Sequence, residues 1–412
     1  MRKGLQATLS HVAALPLDEL LDRYAEILIG IGLNVQPGHR PILQGPLEAA
    51  PLLRRCAACC YRAGALDVHV QYSDAELALV RHRHAEPAAF GEQSRWLADG
   101  FARAVEAGAP VLHLLGEDAH ALAPFDPELV ARDRAATDVA YRAFRSLVSA
   151  NAVPWCVAGT VTAAWAARVF PELDAAAAAD RLWRDIALVT RVVSDDPVAA
   201  WHAHVAAVEA RCAVLNLRAY DGIRFRGPQT DLTVGLATGH RWLGVSEDAA
   251  DGTRFIANIP SEEIYTAPDP VRTDGHVTLT RTASISGQPV RGVRLRFAAG
   301  TVVEAHAEQG QAVLDGLLRT DDGARRLGEV ALVAASSLIP DRLYYEALFD
   351  ENAASHIALG DGYPTTVRNG SSVINASLVH EDVMIGSSEM RVDGVRADGS
   401  LEQIMLDGEF TL

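Results

Sequence analysis

The residues best suited to chemistry gather in the C-terminal half of this chain. Glu262 and Glu263 stand side by side in Asn258-Ile259-Pro260-Ser261-Glu262-Glu263-Ile264-Tyr265-Thr266, between two strand patterns. Adjacent side chains at a strand end diverge, so one carboxylate can bind a metal while the other faces a water. Glu329 opens the apolar run Glu329-Val330-Ala331-Leu332-Val333, and by itself reads as an exposed strand end. Glu351 and His356 follow Leu348-Phe349-Asp350, and alone read as polar caps of a helix end. Leu359-Gly360-Asp361-Gly362-Tyr363 comes next. His380 and Asp382 flank Glu381 in a strand pattern over 373–385, which places both side chains on one face. Such a pair suits a divalent ion, although in isolation it is more often a plain hydrogen-bonded pair. Together these segments offer two histidines and up to five carboxylates, with no cysteine among them. Oxygen-rich ligation with a few imidazoles suits Zn²⁺, Co²⁺ or Mn²⁺ rather than a thiolate structural site. Several carboxylates in one place also meet the needs of a two-metal centre.

Other chemistries find less support. The chain has 412 residues and a formal net charge of −16, so it advertises no basic face for nucleic acid or an anionic membrane. Lys3 is the only lysine, which removes a G-x-x-x-x-G-K-[ST] phosphate loop and argues against a pyridoxal Schiff base. The five cysteines are sparse; Cys56-x-x-Cys59 lies mid-helix with no second pair, and reads as small core residues. Gly30, Gly32 and Gly38 follow a helix pattern rather than a strand, which fits a helix end and a turn, not a dinucleotide loop. His82 and His84, beside Arg81 and Arg83, read as a solvated face. His202 and His204 fall in a helix pattern and point in different directions, so neither pair is assigned a metal. No stretch approaches about eighteen uncharged apolar residues. The expectation is no signal peptide, no membrane span and a cytoplasmic protein.

Two kinds of texture must hold these residues. Up to about residue 220, helix patterns at 17–31, 46–63, 93–106 and 127–148 alternate with strand patterns at 66–72, 111–115 and 153–158. Strands joined by long helices imply crossovers and a mostly parallel sheet. Two further helices are expected at 175–193 and 198–217. Beyond 220, short alternating runs such as Val293-Arg294-Leu295-Arg296-Phe297 are punctuated by Asp-Gly pairs at 251, 274, 393, 398 and 407. These read as turns of a β-rich, mostly antiparallel domain, with helical interruptions at 312–327 and 342–354. The expected architecture is an α/β domain over 1–220 and a β-rich α+β catalytic domain over 221–412.

Several segments resemble the thermophilic-type metallo-aminopeptidases, the family of bacterial aminopeptidases T and S. They are 258–268, Ala324-Arg325-Arg326-Leu327-Gly328-Glu329, 348–360, and Asn375-Ala376-Ser377-Leu378-Val379-His380-Glu381-Asp382. Tyr24-Ala25-Glu26, Gly32-Leu33-Asn34-Val35-Gln36-Pro37-Gly38, Leu215-Asn216 and Thr230-Asp231-Leu232-Thr233-Val234-Gly235-Leu236 also fit, so the resemblance spans nearly the whole chain. It implies a dinuclear centre held by Glu263, Glu329, Glu351, His356, His380 and Asp382. It implies Glu262 as general base and Tyr363 as stabiliser of the oxyanion. It further implies a homodimer with a large internal cavity, formed by the N-terminal domain. Ser355 stands where relatives often carry Cys, Gln229 replaces a common Gly, and Gly159-Thr160-Val161 departs from a proline-containing segment. None of these touches an implied ligand.

The implied reaction is hydrolysis of the first peptide bond of a peptide with a free N-terminus. Two metal ions, about 3.5–4 Å apart in such sites, activate a water. One rival is a ring-cleaving dioxygenase, because His356, His380 and Asp382 alone form the two-histidine, one-carboxylate set of non-haem iron. The surplus carboxylates argue against it. The other rival is a metal-stabilised binding protein without turnover, which has no need of Glu262 or Tyr363.

Overall fold

Parallel strands separated by helices are what the first half of the sequence specifies, and the computed structural model contains them. It describes residues 15–91, 93, 95–116, 121–122, 124–368 and 373–412, so Lys3 lies outside the described residues. The chain divides into two units, Met1–His202 with Ser246–Pro260, and Ala203–Val245 with Ser261–Leu412. The change of texture near 220 marks where the β-rich run begins, at the strand Gly222–Gly227, whereas the units part within the helix Pro197–Arg218.

The first unit holds a five-stranded parallel sheet in the order His69–Ser73, Ile42–Pro46, Val111–Leu115, Trp155–Gly159, Asn258–Ile259. Its helices start where capping carboxylates satisfy free N–H groups: Asp74 accepts from Glu76, Asp126 from Glu128, and Asp174 from Ala177. Cys56, Cys60 and Cys156 are wholly buried, and burial pushes the Cys60 thiol up to about 12. All three are core residues, and for Cys56 and Cys60 the mid-helix setting indicated it. His82 differs from expectation. Its side chain is 1% exposed and packs between Phe90 and Phe125, because those two rings close over the last turn of the helix Ala75–His84.

The second unit is antiparallel. An eight-stranded sheet runs from Thr301–His306 through Arg294–Ala298, Pro268–Thr278, Thr230–Leu236, Gly222–Gly227, Arg391–Val395 and Leu401–Leu406 to Glu409–Phe410. A separate four-stranded sheet has the order Ile264–Thr266, Leu327–Leu332, His356–Gly360, His380–Met384. Asp407-Gly408 makes the expected hairpin turn, but Asp274-Gly275 and Asp393-Gly394 lie inside strands. Gly394 is there because the Tyr220 ring presses on it, leaving no room for a side chain. Gln229 sits at φ 56, a left-handed position that glycine adopts more readily than a residue with a side chain.

Two expected helices are shorter than the patterns suggested. The first spans only Gln311–Leu317; a short helical turn follows at Gly323–Arg325, and Leu327 already begins the strand Leu327–Leu332. The second shrinks to Ala347–Asp350. The Asp350 carboxylate accepts from the N–H groups of Tyr344 and Glu346, and so holds the preceding residues in a turn that competes with helix. The strand expected over 373–385 begins only at His380.

The second and third strands of the small sheet are buried at every position. That burial makes Glu329 conspicuous, since a carboxylate seldom sits in such a run without a partner. Gly360 closes the strand His356–Gly360 at φ 106, and a Cβ there would lie 2.0 Å from the Val379 carbonyl oxygen. Gly360→Ala is therefore expected to destabilise the second unit by about 1–3 kcal/mol. Thermal unfolding checks this; an unchanged melting temperature would contradict it.

Candidate metal centre

Strand register assembles the cluster. Glu329 pairs with Ala358, and Ala358 pairs with Asp382, so the two carboxylates flank one small side chain. His356 lies two residues before Ala358 and projects from the same face. His380 pairs with Gly360 and shares its face with Asp382. Ala358 and Gly360 thus leave open space between four polar side chains. The fifth member, Glu263, ends the loop before the strand Ile264–Thr266.

The distances are short. His356 Nε2 lies 3.1 Å from Glu263 Oε2, 3.6 Å from Glu329 Oε1 and 3.8 Å from Asp382 Oδ1. His380 Nε2 lies 3.8 Å from Glu329 Oε2 and 3.4 Å from Asp382 Oδ1. Glu329 therefore presents one oxygen to each imidazole. One ligand atom each from Glu263, Glu329 and His356 falls within a mutual 4.8 Å. Glu351 joins the same field: burial first, then the charges of Glu263 and Asp382, hold its carboxyl well above the usual range.

Both imidazoles are oriented from behind. His356 Nδ1 donates to the Ala354 carbonyl at 3.1 Å, and His380 Nδ1 to the Asp361 carbonyl at 2.7 Å. With Nδ1 held as a donor, loss of the Nε2 proton would point each lone pair into the cluster, which is the arrangement a metal-binding histidine needs. The Tyr363 hydroxyl lies 3.5 Å from His380 Nε2, and its ring packs edge-on to Tyr265. Of the Glu262–Glu263 pair, Glu263 carries the carboxylate that meets His356, while Glu262 is tied by its backbone N–H to Asn352 Oδ1 at 2.6 Å. The structure thus brings together Glu263, Glu329, Glu351, His356, His380 and Asp382, with Tyr363 at the edge and Glu262 on the adjoining loop. Ser355, beside the cluster, makes two bonds to the Val333 backbone and is spent on holding strands.

The donor set fits divalent cations. Among the described residues, none of the four carboxylates Glu263, Glu329, Glu351 and Asp382 is paired with an arginine. Glu263 Oε2 and Asp382 Oδ1 are buried with no aligned hydrogen bond, despite the nearby imidazoles. Buried oxygens in that state need a cation. Burial, opposed by His356 and reinforced by Glu263, pushes Glu329 up to about 7. Burial works against the charged form of His380, but Asp382 and Glu329 outweigh it and raise the ring to about 9.

Asn352 and the carbonyls of Ala354 and Asp361 were not singled out by sequence. Backbone acceptors leave no mark on side-chain identity, and a single Asn beside a Glu gives no signal of its own.

Comparison with known proteins agrees with this geometry. Residues 17–410 match the family described as thermophilic metalloprotease (M29). The chain is 40% identical over 401 residues to aminopeptidase T of Thermus thermophilus, covering 95% of this chain and 98% of that one. It is 38% identical over 401 residues to aminopeptidase 2 of Geobacillus stearothermophilus, with 95% and 97% covered. It is 34% identical over 406 residues to aminopeptidase PepS of Streptococcus thermophilus, with 96% and 98% covered. The solved structure of wild-type AmpT from Thermus thermophilus superposes with a TM-score of 0.91 at 39% identity, covering 96% of this chain and all of that one.

A cation held at this candidate site would displace protons, because Glu329, pushed up to about 7, and His380, raised to about 9, could bind it only when deprotonated. Deprotonation increases with pH, so metal affinity is expected to rise from pH 6 to pH 9, by about tenfold per pH unit for each proton displaced. Cobalt titration of the metal-free protein across that range checks this; affinity that is flat or falls with pH would contradict it.

Proposed function

The chain belongs to the thermophilic metalloprotease (M29) family and is a metallo-aminopeptidase; from that premise we propose that it releases N-terminal residues of peptides through a centre of two divalent ions. Glu263, Glu329, Glu351, His356, His380 and Asp382 would hold them. The observation that carries this reading is Glu329, whose two oxygens face two different imidazoles. A carboxylate so placed suits a bridge between ions. When bound, such ions polarise the scissile carbonyl and acidify the attacking water.

The chain's own residues have distinct tasks. Glu262 takes the proton of the attacking water and returns it to the leaving amine. The contact of Glu263 with His356 supports Glu263 as the ligand and leaves Glu262 for proton transfer. Burial, and then the surrounding carboxylates, hold the Tyr363 hydroxyl well above its ordinary value, so it stays protonated as a donor. A single donor to a developing oxyanion is worth about 3–4 kcal/mol. The substrate's free α-amine would bind one of the ions or a carboxylate of the site, which selects a free N-terminus.

The reading extends to Zn²⁺ or Co²⁺, with Mn²⁺ as a further option, and to a cytoplasmic homodimer in which residues 1–220 form the dimer and its cavity while 221–412 carry catalysis. No helix among the described residues is long and apolar enough to cross a membrane.

Two experiments test the core of it. Glu262→Gln is expected to bind metal normally and lose about 10²–10⁴-fold in turnover of an aminoacyl-anilide. Wild-type turnover in that variant would remove Glu262 as the base. Chelation is expected to abolish activity, with recovery complete at two equivalents of zinc or cobalt per chain. One iron per chain with no peptide cleavage would instead favour the dioxygenase reading.

A further inference from the structure

The Ser261–Glu262 peptide group is held at both ends by side chains that the hydrolytic chemistry leaves without a task. On one side, His204 Nε2–H donates to the Ser261 carbonyl at 2.7 Å. On the other, Glu262 N–H donates to Asn352 Oδ1 at 2.6 Å. Asn352 is 0% exposed, and its Nδ2 donates to the Leu348 carbonyl at 3.1 Å and to Glu351 Oε1 at 3.3 Å. The partners dictate which way this amide points. A backbone N–H only donates and a carbonyl only accepts, so the oxygen must face Glu262 and the nitrogen must face Leu348 and Glu351.

The consequence is geometric. Glu262 and Glu263 leave the backbone immediately after this peptide plane. Turning the plane would swing both carboxylates, and Glu263 Oε2 sits only 3.1 Å from His356 Nε2. The same amide reaches Glu351, so one buried side chain links the loop to a second part of the cluster. We propose that Asn352 and His204 are positioning residues that fix the Ser261–Glu262 peptide plane, aim Glu262 and Glu263, and tie them to Glu351. This rests on reading Glu262 as base and Glu263 and Glu351 as ligands. It also gives a role to one histidine of the pair at 202 and 204, which binds no metal in this reading.

The test uses the full-length chain with Asn352→Leu, which keeps the branched shape and heavy-atom count of the side chain and removes every hydrogen bond, and His204→Phe. His204→Gln is the conservative variant, because its amide can still donate to the Ser261 carbonyl. Each is measured for cobalt binding to the metal-free protein, melting temperature, kcat and KM. Asn352→Leu is expected to lose about 10–100-fold in cobalt affinity or kcat, the usual cost of losing a group that orients ligands, with KM changed less. His204→Phe should shift in the same direction, and His204→Gln should recover most of the loss. Unchanged cobalt binding and kcat in both disruptive variants would overturn the proposal. So would a lower melting temperature with cobalt binding and kcat per folded molecule unchanged, since that is a purely structural role. If Asn352→Leu does not fold, the His204→Phe and His204→Gln pair decides alone. Glu351→Gln separates the two levels. If it leaves cobalt binding intact, the ligand reading fails; if it weakens binding while the positioning variants do not, only the positioning proposal fails.

Discussion

Four carboxylates and two imidazoles share one enclosed space, and the protein itself does not balance their charge. Fully ionised, with neutral imidazoles, Glu263, Glu329, Glu351 and Asp382 would carry four negative charges; protonating both rings would still leave two. Burying unpaired charge is among the costliest things a fold can do. Burial pushes the Glu329 carboxyl up to about 7, and against burial the neighbouring Asp382 and Glu329 raise the His380 ring to about 9. Asp382 alone moves down: burial opposes ionisation, but both imidazoles outweigh it. Two dications would bring four positive charges and cancel the four carboxylates without any proton. The composition of the cluster and the proposed metal count are thus one argument.

The rest of the second unit can be understood as the scaffold for that cluster. Antiparallel pairing of Leu327–Leu332, His356–Gly360 and His380–Met384 sets Glu329 and Asp382 on either side of Ala358. Small residues at 358 and 360 keep the space open, while carbonyls from Ala354 and Asp361 set the direction of each imidazole. Were these histidines to hold an ion, each ring would only have to lose its Nε2 proton and would not have to turn. That preorganisation comes from backbone groups, which side-chain substitutions elsewhere disturb little.

Much of this was legible in the sequence, for physical reasons. The period of two along a strand put His380 and Asp382 on one face, and alternation of helix and strand patterns indicated a parallel sheet in the first half. Glu329 was not legible by itself. A carboxylate at the head of an apolar run looks like an exposed strand end until burial of the whole strand is known. The segment 342–354 misled because its composition suits a helix, while a single carboxylate, Asp350, captures two backbone N–H groups and holds a turn instead. His82 misled because flanking arginines suggested solvent, and the two phenylalanines that cover it are distant from the pair in sequence or beyond a turn. Asn352 was invisible because its partners, Glu262 and Glu351, lie on separate segments that only the fold brings together.

The surplus of acids also weighs against mononuclear iron chemistry. His356, His380 and Asp382 meet within 3.8 Å, so the two-histidine, one-carboxylate set exists as a geometric fact. An iron in such a set needs vacant positions for oxygen and substrate. Here Glu329 reaches both imidazoles and Glu263 closes on His356, so carboxylates stand where those vacancies would be. The same crowding is useful to a hydrolase. It would supply enough oxygens for the second ion of the proposed two-ion hydrolysis.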